Sequence, residues 1–404
     1  MSLKVFRKAA FGTVWPTPDG GTVLAASYGV LKVDSAGNIV WQKGLSFDPQ
    51  SVGRYPGGYV VAGRSGLYSF AEDGSLLWSA SYDFPSSYLY VSTESVIWIG
   101  TKILLLYRIY DTALSSYVPA LVSLDTMGNL QTARVFGGLR HPGGIVWHTG
   151  GLYMVATDSL SNLVVVKLDT SGNVQWAKRY GVSVTLGVKT HSIAPLGDGL
   201  VVSVTGSSSF LLHLDGSGSV LWAKVINGNL RAMTTDSTGI YVAAYYVAKL
   251  DSTGSPIWSR TYNTDTSYNH IFFDVGVRGN YLFAYGDITS SYTDTAYLVR
   301  VSADNGLLSC TQPYSLSVSN TSITSDSMGV VSSPLSLSRD VDPVVSPLSA
   351  EVLPACVPVS VSERSSGVCR GGFGIYDPAG RKVRNPKGIR LIRTPEGVRR
   401  VLRR

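Results

Sequence analysis

Short apolar runs, opened by one or two glycines and closed by a polar turn, recur along the first three quarters of the chain. Clear examples are Gly57-Gly58-Tyr-Val-Val-Ala-Gly63, Gly150-Gly151-Leu-Tyr-Met-Val-Ala156 and Gly239-Ile-Tyr-Val-Ala-Ala244. Runs of this length, rich in β-branched and aromatic residues and bounded by Gly, Asp, Asn and Ser, read as strands buried on both faces. No window keeps apolar residues at helical spacing over several turns, so the pattern predicts an all-β chain.

Each run is followed by a second one, for example Leu163-Val-Val-Val-Lys-Leu168, and then by a fixed turn. Asp34-Ser-Ala-Gly37-Asn-Ile-Val-Trp41 recurs at Asp169 to Trp176, Asp215 to Trp222 and Asp251 to Trp258. Asp73-Gly74-Ser-Leu-Leu-Trp78 keeps Gly and Trp, but Ala71 stands in the first Asp slot; Asp125 to Thr132 keeps Asp and Gly but loses Trp. Asp304-Asn305-Gly306-Leu-Leu-Ser-Cys310 is a worn seventh copy. In the third unit the glycine-led strand is degenerate, and Glu94-Ser-Val-Ile-Trp-Ile-Gly100 stands in its place. Marker glycines 37, 74, 128, 172, 218 and 254 lie 37, 54, 44, 46 and 36 residues apart, the span of one four-stranded propeller blade.

The unit has a physical reading. Asp34, Asp125, Asp169, Asp215 and Asp251 cap the turn by accepting backbone N–H groups, and the glycine supplies the positive φ of a tight hairpin. Trp41, Trp78, Trp176, Trp222 and Trp258 are expected to point inward between blades. A buried Trp removes about 150–250 Å² from water, roughly 4–6 kcal/mol as an upper bound. The early strand Val5-Phe6-Arg-Lys-Ala-Ala-Phe-Gly12 aligns with Gln175-Trp176-Ala-Lys-Arg-Tyr-Gly181 and has no blade of its own. It is expected to pair with the blade ending near Cys310 and close the ring. The expected architecture is therefore a seven-bladed β-propeller over residues 1–310.

The pattern Asp-Gly-Gly, apolar strand, Lys-Leu-Asp, Gly-Asn, Trp resembles the bacterial and archaeal propeller repeats of the delta-60 and quinoprotein-like type. The resemblance covers residues 1–310. It implies the fold and leaves function open, because propellers host both enzymes and binding modules.

Beyond 310 the texture changes. Residues 311–360 are rich in Ser, Val and Pro and read as an extended segment laid along another surface, with a flexible linker as the alternative. Residues 361–404 contain three x-Pro-x-Gly turns, at Pro378, Pro386 and Pro395, separated by basic stretches, and read as a small basic β-meander. This tail holds 12 of the 34 Lys and Arg and 3 of the 27 Asp and Glu, so it is +9 while the other 360 residues sum to −2. Arg381, Lys382, Arg384, Lys387, Arg390, Arg393, Arg399 and Arg400 are its candidate contacts to an anionic partner. Cys310 and Cys356 bracket the Ser/Pro-rich segment, and two readings stand: a disulfide that staples it, leaving Cys369 odd, or free thiols.

Chemical motifs are sparse. His141, His148, His191, His213 and His270 show no metal-ligand spacing, and no nucleophile elbow, P-loop or dinucleotide fingerprint occurs. No metal and no cofactor is expected. The quinoprotein resemblance implies one alternative, a quinone-dependent oxidoreductase, but such enzymes carry adjacent cysteines beside the cofactor and this chain has none. A second alternative is nucleic-acid binding through the basic tail. Only Phe373 and Tyr376 are available there for base stacking.

The expected function is a non-enzymatic binding or scaffold protein: a propeller for recognition, with a basic tail that docks it to a larger assembly such as a cell surface, a virion or a ribonucleoprotein. Its partners are expected to be proteins or assembly neighbours. No apolar run is long enough to span a bilayer, and the first residues lack the apolar segment of a secretory signal. A surface or particle location is the expectation.

Overall fold

The computed structural model describes residues 2–7, 12–26, 29–64, 66–184, 191–205, 208–262, 269–289, 295–308, 311–339, 345–346, 351–354, 389–394 and 397–403. Among these there is no helix, and seven antiparallel sheets form the blades of a β-propeller. The innermost strands are Thr13–Pro16, Pro49–Tyr55, Tyr88–Ile99, Arg140–His148, His191–Leu196, Ala232–Asp236 and Asn269–Arg278. Each touches the next around the axis, and Asn269–Arg278 touches Thr13–Pro16, so the ring is closed.

The glycine-led runs form the second strand of a blade. Gly58–Gly63, Gly151–Thr157, Gly199–Thr205 and Gly239–Ala243 are buried along their whole length. Such strands are sandwiched by blades on both sides, which is why their sequences are continuous rather than alternating. The core is accordingly divided into clusters at the blade joints: Tyr153, Val155 and Val165 of blade 4 pack with Leu200, Val202 and Leu212 of blade 5.

Blade 3 corrects one expectation. Glu94 to Ile99 belongs to the innermost strand Tyr88–Ile99, and the second strand is Lys102–Asp111, with Trp98 opposite Ile103. The glycine pair that marks second strands elsewhere is reduced here to Gly100 at φ +58°, so the turn lies one strand later than the motif suggests.

The ring closes through Ser2–Arg7, which pairs antiparallel with Thr295–Ser302 and serves as the fourth strand of blade 7. Its register differs from the sequence alignment. In blade 4, Lys167 faces Tyr153 on one side and Trp176 on the other; in blade 7 the equivalent Arg300 faces Phe283 and Ser2. Ser2 therefore holds the Trp position, and Phe6, opposite Ala296, holds the position of Tyr180, opposite Leu163. The sequence alignment is four residues out because both slots, those of Trp176 and Tyr180 in blade 4, take an aromatic residue.

With that place occupied, the chain cannot complete blade 7 after Ser302. The worn copy still turns at Gly306, but the chain then leaves for the outer edge of blade 6, where Thr311–Pro313 pairs with Arg260 to Tyr262. From there it runs backwards around the rim. Val318–Thr321 adds to blade 5, Ser325–Ser327 to blade 4 and Val331–Pro334 to blade 3. Ser338–Arg339 then adds to blade 2, Val345–Ser346 to blade 1, and Glu351–Pro354 to Ser2–Arg7 of blade 7. Every blade thus gains a fifth antiparallel strand from one belt.

The belt keeps step with the blades through a seven-residue period. Leu316, Ile323, Val330 and Leu337 are half-buried, and each packs on the core cluster of a successive blade joint. The intervening residues are mostly exposed, which accounts for the serines. The short, proline-broken strands also blunt the sheet edges that a propeller of this width would otherwise present to other chains.

Candidate functional site

The repeat residues all lie in the joints between blades. The Nε1 groups of Trp41, Trp78, Trp222 and Trp258 donate to the backbone oxygens of Glu72, Thr126, Ser252 and Ala303, at 3.0, 2.8, 3.2 and 3.2 Å. Each acceptor sits in the turn of the following blade. Trp41 and Trp258 are buried, and Trp78, Trp176 and Trp222 half-buried. Blade 3 has Thr132 in the Trp slot, and Arg134 takes over, its Nε donating to the Ser171 oxygen at 2.9 Å.

Asp34 Oδ1 accepts from the backbone N–H groups of Ala36 and Asn38, both at 2.8 Å. Asp125, Asp169, Asp215 and Asp251 make the same pair of bonds. The Asn38 N–H is the main reason the Asp34 carboxyl titrates below its ordinary value. Asp158 builds a further turn of this kind on the opposite face, with Ser161 at φ +64° in the glycine slot. None of these residues lines the axial channel.

Cys310, Cys356 and Cys369, together with Arg381, Lys382, Arg384 and Lys387, lie outside the described residues. Arg390 and Arg393 fall in Ile389–Thr394, and Arg399 and Arg400 in Gly397–Arg403; the two strands pair as an antiparallel hairpin with Ile392 opposite Arg400.

A channel of about 380 Å³ runs along the axis, lined by the innermost strands. Its polar groups stitch blades together. Asp274 of blade 7 accepts from the Val14 N–H at 2.9 Å and from the Thr13 hydroxyl of blade 1. Gln50 of blade 2 accepts from the Thr93 N–H of blade 3 at 2.8 Å. Glu94 pairs with Arg108 at 3.1 Å. Among the described residues no three His, Cys, Asp or Glu side chains are close enough to hold a metal ion.

The feature that stands out lies on blades 3 and 4, on the face opposite the Asp-x-x-Gly turns. Tyr90, Tyr110, Tyr117 and His141 form a continuous aromatic stripe, with successive centroids 6.1, 5.2 and 5.7 Å apart. Arg108 lies over the Tyr117 ring at 5.0 Å.

Two bulges create this stripe. Leu89 faces Tyr110 and Ser92 faces Arg108, so Tyr90 and Val91 together oppose Ile109 and the innermost strand carries one extra residue. Arg140 faces Thr157 and Gly144 faces Val155, so His141 to Gly143 bulge from the next blade. Tyr90 and His141 have φ of 47° and 41°, unfavourable for non-glycine residues, and Ser115 at the adjoining hairpin tip has 47°. Strain of this kind is of order 1–3 kcal/mol per residue and clusters at functional surfaces; bulges re-aim side chains in the same places.

The surrounding loops are pinned. Thr112 donates through N and Oγ1 to the Ser87 oxygen at 3.0 and 3.1 Å, and Asp111 Oδ1 accepts from Ala113 and Leu114. Burial, then the nearby Arg108 and Arg140, holds the His141 imidazole below its ordinary pKa, so it is neutral at physiological pH. Tyr90 remains 74% exposed. The sequence reading missed this stripe. Its signals were the 54-residue spacing of the third unit and the tyrosines at 88, 90, 107, 110 and 117.

No family model matches the chain, and no curated protein does. Solved structures resemble it. It is similar to the β-propeller domain of Cps50 (Swd1) from Myceliophteria thermophila, with 11% identity and a TM-score of 0.53 over 74% of this chain and 100% of that one. It is similar to BBS1N, solved in complex with ARL6DN, with 12% identity and a TM-score of 0.53 over 74% and 96% of the two chains. BamB from Moraxella catarrhalis shares 18% identity over 70% and 95%, with a TM-score of 0.42. At these identities the likeness is one of fold: the chain is a β-propeller.

Proposed function

We propose that this protein is a non-enzymatic scaffold that binds a protein partner on the tyrosine-bearing face of blades 3 and 4, and that its basic tail docks it to a larger assembly. The observation that carries the reading is the pinned and strained aromatic stripe, with Tyr90 exposed and Tyr110, Tyr117 and His141 half-buried. Tyrosine at the centre of a rigid surface supplies large contact area at low conformational cost, the composition of binding hot spots. The belt supports the same reading, because it covers the blade rims and leaves the two faces for recognition. BBS1N, of the same fold, was solved in complex with a protein, ARL6DN. The repeat itself is assigned to the delta-60 and quinoprotein-like type on its Asp-x-x-Gly-x-x-x-Trp unit.

A photo-reactive residue placed at 90 or 114 in the full chain, expressed in its own cells, tests this. A discrete cross-linked protein is expected from both sites and not from position 197, in a turn on the opposite face. Ending the chain at 354 is expected to keep that cross-link and lose the larger assembly. Equal labelling from all three positions would defeat the reading, as would oxidation of alcohols by purified protein supplied with pyrroloquinoline quinone and calcium. Salt-sensitive binding of polynucleotide that vanishes with the tail would reassign the tail.

A further inference from the structure

We infer that the stripe Tyr90–Tyr110–Tyr117–His141 receives an extended, proline-rich segment of the partner. This rests on the scaffold reading above and names the chemistry that the partner presents.

Ring geometry is the first argument. Tyr90 and Tyr110 meet at 78° and Tyr110 and Tyr117 at 77°, while Tyr117 and His141 are tilted by 56°. Rings set edge to face do not make one continuous flat platform. They make a row of notches, each walled by one ring face and one ring edge. A pyrrolidine ring is a compact apolar wedge that fits such a notch, and polyproline II helices dock on aromatic-lined grooves in this way.

Hydrogen-bonding capacity is the second. No group among the described residues pairs with the hydroxyls of Tyr90, Tyr110 or Tyr117, so three donors stand along the stripe. A polyproline II strand has the complementary inventory: its carbonyl oxygens are unpaired acceptors and its prolines carry no N–H. Charge is the third. Arg108 is held by Glu94 and Ser92 at 3.1 and 3.2 Å, and Arg140 donates to the Leu139 oxygen at 2.8 Å. Glu94 offsets the Arg108 charge, while Arg140, bonded to a neutral carbonyl, keeps its own, so the stripe carries little net charge and favours the acceptor oxygens of an uncharged backbone. Finally, the pinned loops suit a ligand that is itself rigid before binding, because neither side then loses much freedom.

The test is a titration of the full chain into fluorescein-labelled decaproline, followed by anisotropy, with a Gly-Ser decapeptide and cellohexaose as the other probes. Saturable binding of decaproline alone is expected, undisturbed by cellohexaose. Tyr90→Ala and Tyr117→Ala are each expected to weaken it about tenfold, the loss of one aromatic anchor. Leu160→Ala, exposed on the neighbouring loop of the same face, leaves it unchanged. Unchanged melting temperatures confirm that the variants fold, and Tyr90→Phe, which keeps the ring, keeps most of the binding. No saturation, equal binding of the Gly-Ser peptide, displacement by cellohexaose, or indifference to both alanine changes overturns the inference. If decaproline fails while the cross-links from 90 and 114 persist, the ligand class is wrong and the scaffold reading stands; if both fail, the scaffold reading falls too.

Discussion

The indole of Trp176 lies over Gly218 of the next blade, so closely that a Cβ atom on Gly218 would come within 2.6 Å of its ring. The same glycine has φ +79° and accepts the Tyr180 hydroxyl on its carbonyl at 2.7 Å. One residue thus makes the turn, seats the indole of one blade and receives the phenol four positions on. Trp41 over Gly74 and Trp258 over Gly306 repeat the close approach. Tyr82 to Gly128 and Tyr262 to Gly306 repeat the phenol bond.

Gly218→Ala is therefore expected to be doubly costly, roughly 2–5 kcal/mol from backbone strain and overpacking together. Gly150→Ala is the control. Its φ is +75° but nothing lies within 4 Å of the added methyl, so only the backbone cost of about 1 kcal/mol applies. Urea unfolding of the two variants measures the difference; equal losses would show that the turn matters and the indole seat does not.

Trp41 separates packing from hydrogen bonding. Trp41→Phe keeps a ring in the joint and loses the bond to the Glu72 oxygen, at about 1–2 kcal/mol. Trp41→Ala opens a cavity between blades 1 and 2 and is expected to cost about 3–5 kcal/mol. Thermal and chemical denaturation read both, and similar values would place the bond above the packing.

A chain ending at residue 310 lacks the belt, so the outer edges of all seven blades are bare. It is expected to form concentration-dependent oligomers in light scattering where the full chain does not. A synthetic peptide spanning 311–354 is expected to bind it and restore the monomer. The same peptide with Leu316, Ile323, Val330 and Leu337 changed to Ser is expected to fail. Rescue by the serine peptide would mean that backbone pairing alone holds the belt.

His141 gives the stripe a pH signature. Burial, Arg108 and Arg140 lower its pKa in the folded chain, while the unfolded chain titrates near the ordinary value of about 6.5. Below that value the unfolded state binds more protons, so this residue's contribution to stability is present at neutral pH and lost as pH falls. His141→Gln should flatten the decline in melting temperature below about pH 6.5; an unchanged pH profile would remove the residue from the account.

The sequence by itself determined the blade. Continuous apolar runs could only be strands covered on both sides, and Asp-x-x-Gly-x-x-x-Trp encoded turn, cap and joint within eight residues, because those interactions are local or link neighbouring blades in a fixed way. The seven-residue period of Leu316, Ile323, Val330 and Leu337 was also legible, though it was not read, since a repeat of seven in extended chain means nothing until seven evenly spaced joints exist to receive it. Only the tertiary structure decided the rest. That the closing strand sets Ser2 opposite Arg300, that the displaced chain circles the rim, and that two bulges bring Tyr90 and His141 to Tyr110 and Tyr117 are all matters of register or pairing between distant segments. Their register is set by which edge is free and which joint is near, and no local pattern carries that information.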